Sequence, residues 1–298
     1  MSSTAAVIQA ATLIRAGKLV AFPTETVYGL GANALDAAAV ERIFQAKNRP
    51  RHSPLIVHVD SVEMAQRFAA DWPAHAETLS RRYWPGPLTL VLPKTREIPD
   101  IVTAGLPTVG LRMPAHPLAL ELIREAGVPI AAPSANRFTE LSPTTAEHVA
   151  ESLADFVLDG GPAGVGIEST VLSLAGPATL LRPGVIPLPE IEALIGPVRI
   201  QKAQVEGPHA SPGMHARHYR PRTPLYLLSA ADAAPPGRGA WLRLGREMPS
   251  DPAGYAAALY DVLHRLDREG LDWIAVERPP DEPEWAGVLD RLMRAAVG

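Results

Sequence analysis

Residues 45–59 of this chain read QAKNRPRHSPLIVHV, and they join a helical pattern to a strand-like run within a few positions. The preceding residues, DAAAVERIFQAK, have helical spacing, and the carboxylate of Asp36 stands where it can cap the helix. After Pro50 the sequence becomes apolar at once in PLIVHV. A helix followed so closely by a buried strand is typical of an α/β fold. The basic residues at this junction are Lys47, Arg49, Arg51 and His52.

The same alternation continues on both sides of the junction. Apolar runs of strand length occur in KLVAFP, LTLVLP, TVGLRMP, VPIAAPS, FVLDGG, ESTVLSL and ATLLRPG. Helical patterns begin after Ser61, in HPLALELIREAG, which Gly127 ends, and in TTAEHVAESLA, which Ser142 or Thr144 is placed to cap. The alternation predicts an α/β domain over residues 1–198, with one twisted sheet and helices against it.

A smaller α/β block follows a polar linker. Residues 199–222 contain prolines, histidines and five basic residues against Glu206 alone, so they predict a basic, Pro-rich linker. Residues 223–298 contain the strand-like runs PLYLLSA, GAWLRLG and WIAVERP, with helical patterns near 253–269 and 284–296. A block of this size has a small core, so we expect it to lean on the first domain.

The composition excludes several classes of protein. The chain of 298 residues has 28 Lys and Arg against 32 Asp and Glu, a net charge of −4 that speaks against coating nucleic acid. It has no Cys, which excludes a disulfide framework and a thiolate metal site. The apolar runs are too short to span a bilayer, and the first 17 residues resemble an amphipathic helix more than a signal peptide. We therefore expect no membrane partner and a cytoplasmic location.

Common nucleotide-binding motifs do not account for this sequence. Gly29, Gly31 and Ala34 match the dinucleotide-binding pattern formally, but PTETVY separates them from the strand, and no suitable acidic residue follows. No GxxxxGK[ST], HExxH or GxSxG motif occurs. What remains of this stretch is a pair of hydroxyls, Thr24 and Thr26, beside Glu25.

Basic residues recur at the predicted strand ends and turns, namely Lys47, Arg49, Arg112 and Arg182. An extended backbone after Asn48 would place Lys47, Arg49 and Arg51 on one face, and grouped cations of this kind bind phosphate. We therefore predict one polyanion site at these strand ends. The alternative is a solvated helix end, where Lys and Arg complement the helix dipole. In either case the side chains of Lys47 and Arg49 are not expected in the core.

Two loops add small polar groups to this predicted site. Residues 133–145, PSANRFTELSPTT, are rich in hydroxyl and amide side chains. Residues 159–170, DGGPAGVGIEST, lead through glycines to Glu168 and Ser169, and the loop amides form either an anion-binding nest or a plain turn. His58 lies inside an apolar run, a position typical of a core histidine.

Residues 207–222 predict a basic strap laid over the first domain. Arg217, His218, Arg220 and Arg222 would reach a polyanion bound there and close over it. One alternative is a passive linker. Another is a metal site at His209, His215 and His218, although no carboxylate or Cys accompanies these histidines at suitable spacing.

Several ordered motifs resemble one family. FPTETVYGLGANA, AKNRP with PLIVHV, PSAN with SPTTAEHV, DGGP with GIESTV, and LRPG are similar to the YrdC/Sua5 family, the L-threonylcarbamoyladenylate synthases. SPGMHARHYRP and the tail are similar to the linker and C-terminal domain of the longer, Sua5-type members. The resemblance implies a YrdC-like twisted mixed sheet whose helices form a concave site, plus a small, Rossmann-like C-terminal α/β domain. The chain departs from the family at Ser53, usually Asn, and at Phe138-Thr139, usually Ser-Gly.

The resemblance implies an adenylate-forming reaction. L-threonine and bicarbonate form N-carboxy-threonine, whose carboxylate attacks the α-phosphate of ATP with Mg²⁺, so that pyrophosphate leaves and threonylcarbamoyl-AMP remains. A tRNA threonylcarbamoyl transferase complex then uses this product to modify adenosine 37 of tRNAs that read ANN codons. No protein nucleophile is needed, because the chemistry rests on positioning and charge neutralisation.

The same resemblance assigns residues to this reaction. Lys47 and Arg49 carry the catalysis by facing the phosphates. The threonine-binding residues are Thr26, His58, Arg112 and Ser169, with Arg112 on the carboxylate. The residues bordering ATP are Lys47, Arg49, Ser53, Thr108, Ser134, Asn136, Ser142, Arg182 and His218.

Two other functions stay open on the sequence. A non-catalytic RNA-binding or ribosome-maturation module would use the same basic concavity, but the net charge of −4 and the lack of an aromatic stacking platform weigh against it. A carbamoyltransferase of hydrogenase maturation would share the first domain, but such proteins resemble longer chains with Cys-rich zinc segments, and this chain has no Cys.

Overall fold

The computed structural model describes residues 3–201, 218–229 and 232–297. Helices in this part of the chain are α1 Ser3–Arg15, α2 Ala37–Lys47, α3 Val62–Phe68, α4 Ala74–Tyr83, α5 Pro117–Ala126, α6 Leu188–Ile195, α7 Pro252–Asp267 and α8 Ala286–Ala295. Strands are β1 Val20–Phe22, β2 Gly29–Asn33, β3 Ile56–His58, β4 Leu88–Pro93, β5 Thr108–Arg112, β6 Ile130–Ala131, β7 Phe156–Val157, β8 Thr170–Ser173, β9 Thr179–Arg182, β10 Arg199–Ile200, β11 Leu225–Leu228, β12 Gly239–Leu242 and β13 Trp273–Glu277.

Ten of these strands form one mixed sheet in the order β10-β9-β8-β4-β5-β3-β6-β2-β1-β7. β3 runs parallel to β5, so that His58 pairs with Arg112 at the ends of the two strands. β4 runs parallel to β8 and antiparallel to β5. The predicted twisted mixed sheet is therefore confirmed, and its central strands bring separate polar loops to one edge.

Apolar side chains cover both faces of this sheet. α2, α3 and α4 pack on it through a large buried cluster that includes Ile43, Phe44, Phe68 and Leu79. α1 and α5 pack on it through a second cluster that includes Ile14, Phe22 and Leu122. Burial of these side chains contributes roughly 25 cal/mol per Å² of apolar surface, which holds the strand ends that carry the polar loops.

The smaller domain is also α/β, as predicted. Its three strands are parallel in the order β11-β13-β12, and α7 and α8 pack against them. Its buried cluster includes four residues of the large domain and its linker, namely Val27, Leu141, Ile167 and Tyr219. The two domains thus share one apolar interface. The predicted domain boundaries at residues 198 and 222 stay a prediction.

Local signals in the sequence placed several helix ends correctly. Asp36 caps α2 by accepting from the amides of Ala38 and Ala39, and Ser61 caps α3. Gly127 ends α5 in the left-handed region at φ 68°. No helix among the described residues is long and apolar enough to cross a membrane.

The predicted helix over TTAEHVAESLA is wrong. Only a 3₁₀ turn forms, Ala146–His148, and neither Ser142 nor Thr144 caps it. The ring of His148 stacks on His264 of α7 at a centroid distance of 3.9 Å, and its Nδ1 faces the amide of Thr144 at 3.3 Å. Val149 and Leu153 turn into the main core. These tertiary contacts outweigh the helix propensity of the segment.

The linker is described only in part. Of the predicted strap over 207–222, residues 207–217 lie outside the described residues, and so do His209, His215 and Arg217. The strap and the alternative metal site therefore stay predictions.

Candidate functional site

A polar cavity opens where β3, β5 and β9 end. Its walls come from loops and strand ends of the large domain and from His218 and Tyr219, where the described chain resumes. The lining residues are Thr24, Thr26, Val27, Gly29, Arg49, Ile56, His58, Arg112, Ala132, Pro133, Ser134, Glu168, Ser169, Arg182, His218 and Tyr219. Eight of the residues predicted for the site line it, namely Thr26, Arg49, His58, Arg112, Ser134, Ser169, Arg182 and His218.

The turn after α2 directs Arg49 into this cavity. Asn48 adopts a left-handed conformation at φ 51°, and the amide of Arg49 donates back to the carbonyl of Phe44. The guanidinium of Arg49 donates to the hydroxyl of Ser53 at 2.5 Å and to the carbonyl of Pro54 at 3.1 Å. Burial lowers the pKa of Arg49 to about 10, so that the side chain stays charged at neutral pH. No carboxylate within the described residues forms an ion pair with it.

Lys47 is placed differently from the prediction. Its ammonium donates to the carbonyls of Ser134 and Asn136, and its side chain is 1% exposed and does not line the cavity. Burial, and after it the charge of Arg49, lowers the pKa of Lys47 well below its ordinary value. The expectation that Lys47 and Arg49 lie outside the core is therefore wrong, because backbone carbonyls and a buried turn receive them.

Arg51 does not belong to the cluster. It points to solvent and pairs with Glu41 of α2 at 2.6 Å, with 73% of its side chain exposed. The predicted common face of Lys47, Arg49 and Arg51 is wrong because the left-handed turn at Asn48 interrupts the extended geometry on which that face depends.

Arg112 lies at the end of β5 and is held by a carboxylate. Its Nη2 donates to Glu25 at 2.7 Å, and its Nε donates to the carbonyl of Gly86 at 3.2 Å. Glu25 also accepts from the amide of Ala115 at 2.9 Å. Thus the predicted partner of a substrate carboxylate already has one carboxylate partner, which fixes its orientation beside the cavity.

His58 stands next to Arg112 as a neutral imidazole. Burial, reinforced by the charge of Arg112, lowers the pKa of His58 to about 3. Its ring meets the edge of Phe22 at a centroid distance of 5.9 Å. Its Nδ1 is buried without a hydrogen-bond partner among the described residues. A neutral ring with a vacant hydrogen-bonding position can bind an uncharged polar group of a ligand.

The opposite wall contains Ser169 and Arg182. Arg182 donates from Nε and Nη2 to the carbonyl of Ser169, at 3.1 and 2.9 Å, and from Nη2 to its hydroxyl at 3.1 Å. The hydroxyl of Ser169 also lies 2.8 Å from that of Thr89. Burial lowers the pKa of Arg182 as well. Two buried arginines, Arg49 and Arg182, therefore face the same space and interact electrostatically.

The remaining predicted residues surround the cavity without lining it. Ser53 lies behind Arg49, and the hydroxyl of Ser142 donates to Glu168. Thr108 lines a small neighbouring cavity that shares Ile56 with the main one. Asn136 lines a separate cleft between the domains, and its amide nitrogen donates to the carbonyls of Arg137 and Glu140.

Sequence reasoning assigned no role to two other residues of the cavity, Glu168 and Tyr219. Glu168 was visible only as the one acidic residue in GIEST. Tyr219 adopts φ 63° and is 1% exposed. Its place at the cavity depends on tertiary contacts with distant residues such as Tyr260 and Arg291, which no local pattern reveals.

The donor set does not suit a resident metal ion. Glu168 is the carboxylate that lines the cavity, and it is already bound by Arg291 and Ser142. The described residues contain no cluster of three or more His, Cys, Asp or Glu that could hold a metal. Buried cations with hydroxyls beside them instead suit an anionic ligand.

Fold and cavity together define an α/β protein with a buried cationic ligand site, and comparisons with known proteins agree. A family model described as "Telomere recombination" (Sua5_yciO_yrdC) matches residues 12–184. A second, "Threonylcarbamoyl-AMP synthase, C-terminal domain", matches residues 186–297. The chain therefore belongs to the Sua5/YciO/YrdC family, which confirms the resemblance seen in the sequence.

Individual relatives cover nearly the whole chain. A threonylcarbamoyl-AMP synthase from Bacillus subtilis is 44% identical, over 98% of this chain and 93% of the relative. One from Pyrococcus abyssi is 44% identical, over 96% of this chain and 93% of the relative. A crystal structure of P. abyssi Sua5 complexed with L-threonine superposes with a TM-score of 0.91 at 41% identity, covering 97% of this chain and 93% of that one.

Proposed function

We propose that this chain is an L-threonylcarbamoyladenylate synthase, which converts L-threonine, bicarbonate and ATP to threonylcarbamoyl-AMP and pyrophosphate. The threonine amine adds to bicarbonate with loss of water, giving a carbamate. A carbamate oxygen then forms a bond to the α-phosphorus, and the bond from that phosphorus to the bridging oxygen of pyrophosphate breaks. Membership of the family and the similarity to named synthases support this reaction.

Two buried arginines in the cavity support this reaction independently of family membership. Arg49 is a buried cation with 7% exposure, and no carboxylate pairs with it within the described part of the chain. It faces the same cavity as Arg182. Two buried cations repel each other unless an anion enters between them. A nucleotide phosphate is the anion that such a pair of guanidinium groups binds well.

The other half of the cavity suits threonine. Arg112 provides a cation for its carboxylate, because its bonds to Gly86 and Glu25 use Nε and Nη2 and not Nη1. Neutral His58 and the hydroxyl of Thr26 provide partners for its hydroxyl. Ser169 lies between the two halves, next to both Thr89 and Arg182. The proposed roles place the carbamate beside the α-phosphate, where proximity and charge neutralisation accelerate attack.

Mg²⁺ enters this proposal only with ATP. Among the described residues, the carboxylate that lines the cavity, Glu168, is already bound by Arg291, so we propose that the metal arrives with the MgATP substrate. The downstream transferase complex and the tRNA adenosine acceptor also remain part of the proposal. A mixed carbamic–phosphoric anhydride hydrolyses readily, so an acceptor must take the product soon after release.

The direct test is pyrophosphate release that requires all three substrates. The full chain is incubated with MgATP, bicarbonate and L-threonine, and pyrophosphate and the AMP adduct are quantified by coupled assay and mass spectrometry. We expect release only in the complete mixture, and loss of at least 100-fold in Arg49→Ala. Pyrophosphate release that does not depend on threonine, or RNA binding without pyrophosphate release, would contradict the proposal. Arg51→Ala is the matched control, because its side chain lies outside the cavity.

Substrate choice gives a second test. Serine lacks one methyl group of threonine, and a buried methyl is worth about 0.8–1 kcal/mol, so threonine should be preferred by roughly four- to fivefold in kcat/KM. Valine lacks the hydroxyl and would leave His58 or Thr26 without a partner, so its rejection should be much stronger. Equal turnover of valine and threonine would show that another pocket binds the amino acid.

A further inference from the structure

A buried arginine of the small domain contacts the back of the catalytic cavity. Arg291 lies in α8 and is 0% exposed. Its Nε donates to the carboxylate of Glu168 at 2.7 Å, and its Nη2 donates to the carbonyl of Glu168 at 3.1 Å. Its Nη1 donates to the carbonyl of Pro183 at 2.8 Å and to Asp290 at 2.9 Å. One guanidinium therefore ties the small domain to two separate segments of the large one.

These two segments both carry residues of the cavity. Glu168 directly precedes Ser169, and Pro183 directly follows Arg182. The segments touch through their backbones, since a Cβ added at Gly184 would lie 2.4 Å from the amide of Thr170. The bonds of Arg182 to Ser169 join them on the cavity side. Arg291 joins them from behind, so it holds the frame in which Ser169 and Arg182 are placed.

The contact between Arg291 and Glu168 also affects the electrostatics of the cavity. Burial opposes ionisation of Glu168, but the charges of Arg291 and then Arg182 hold the pKa of Glu168 below its ordinary value. The carboxylate therefore sits between two cations and is bonded to only one of them. It also accepts from Ser142 and Tyr260. After Arg291, Arg182 is the cation whose charge most lowers the pKa of this buried carboxylate.

We propose that Arg291 is a positioning residue of the synthase cavity: by binding Glu168 it keeps that carboxylate from drawing Arg182 out of the position in which its charge faces the nucleotide. This inference rests on the proposed function for the identity of the ligand. In its absence, Glu168 attracts Arg182 and lowers the positive charge that faces the phosphates. The small domain thus contributes to nucleotide affinity through a residue that never touches the nucleotide.

A double-mutant cycle tests the proposal. The full chain is compared with Arg291→Met, Glu168→Gln and the double variant, and the Kd for α,β-methylene-ATP is measured by isothermal titration. We expect Arg291→Met to weaken binding by at least tenfold. The double variant should bind within threefold of Glu168→Gln, because an uncharged residue 168 no longer competes for Arg182. The KM for ATP should rise in Arg291→Met, while the KM for threonine should change less than threefold.

Control variants distinguish a positioning role of Arg291 from a general loss of stability. Leu259→Ala removes a fully buried apolar side chain of the same interface, which cannot form a hydrogen bond or ion pair with Glu168, so it should lower stability and leave the Kd unchanged. Should Arg291→Met fail to fold, Arg291→Gln also removes the charge but keeps a hydrogen-bond donor, and its Kd should likewise be weaker than that of the unaltered chain. A wild-type Kd in either folded Arg291 variant, or a double variant as weak as Arg291→Met, would overturn the proposal.

Failure of the proposed function would look different. An unaltered chain that binds α,β-methylene-ATP but releases no threonine-dependent pyrophosphate contradicts the synthase activity alone, and the binding cycle still decides the role of Arg291. An unaltered chain that binds no nucleotide overturns both.

Discussion

At the scale of single residues, neighbouring cations in one short segment have opposite environments. Lys47 is buried and donates to two backbone carbonyls, whereas Arg51, four positions later, is 73% exposed in an ion pair with Glu41. Both look alike in the sequence, as basic residues around Pro50. The left-handed residue Asn48 separates them, because it ends α2 and redirects the chain.

This difference predicts opposite effects on stability. Lys47→Ala removes buried methylene groups worth about 0.8 kcal/mol each and leaves the carbonyls of Ser134 and Asn136 without their donor. We expect the free energy of unfolding, measured by urea denaturation, to fall by at least ~2 kcal/mol. Arg51→Ala is the matched control and should change it by less than ~1 kcal/mol, because exposed ion pairs contribute little. Equal effects of the two substitutions would refute the burial of Lys47.

At the scale of elements, the segment after the PSAN loop serves the domain interface instead of forming the predicted helix. His148 in its 3₁₀ turn stacks on His264 of α7, and the ring of His264 lies 3.1 Å from the carbonyl of Ser142. Burial lowers the pKa of His264 to about 4, and the neighbouring His148 adds to this lowering. Burial also lowers the pKa of His148, which Asp261 partly opposes. The interface therefore requires neutral rings.

The stacked pair predicts acid sensitivity. An unfolded histidine titrates near pH 6.5, so between that pH and about 4 the unfolded chain binds a proton that folded His264 does not. Stability is fully present above pH 6.5 and is lost as the pH falls through this window. At pH 5 the loss attributable to His264 is on the order of 2 kcal/mol.

The measurement is urea denaturation at pH 7 and pH 5. His264→Gln keeps a donor near Ser142 but cannot titrate, so its stability should fall less between the two pH values than that of the unaltered chain. His75→Gln, at an exposed position of α4, is the control and should follow the unaltered chain. The same pH dependence in all three proteins would contradict a role for the stacked pair.

At the scale of the whole molecule, the two domains approach at backbone distance. Gly287 near the start of α8 faces Gly184, which follows β9, and a Cβ added at Gly287 would lie 2.5 Å from the carbonyl oxygen of Gly184. The same region contains Arg291 and its bond to Pro183. Because neither glycine has a side chain, the backbones of the two domains lie close together here. The small domain can therefore support the loops of the cavity.

Gly287→Ala is therefore expected to destabilise the protein. Helix propensity alone would favour Ala over Gly by up to about 1 kcal/mol, but the clash with backbone on the other domain costs about 1–3 kcal/mol and can be relieved only by moving the domains apart. Differential scanning calorimetry should show a lower Tm. Gly176→Ala is the matched control, because a Cβ there meets nothing within 4 Å. A Tm at or above that of the unaltered chain for Gly287→Ala would show that the interface is looser than described.

The sequence by itself determined the α/β class, the order of most strands and helices, and the presence of a cationic site. Periodicity and capping are local properties, so Asp36, Ser61 and Gly127 could be assigned to helix ends without tertiary information. The polar residues at strand ends could also be grouped, because a sheet brings such ends to one edge. Arg49, Arg112 and Arg182 accordingly line one cavity, and so do Thr26, His58 and Ser169, which the family resemblance assigned.

Only the tertiary structure decided which cations face the cavity and what supports them. Lys47 turns to backbone carbonyls contributed by a loop about 87 residues later, and Glu168 pairs with Arg291 across 123 positions. Such contacts depend on how the two domains pack. Burial then lowers the pKa of His58, which keeps its ring neutral, and raises the free-energy cost of any buried charge that lacks a partner. No local pattern carries that information, because the same residue types are equally common on solvated surfaces.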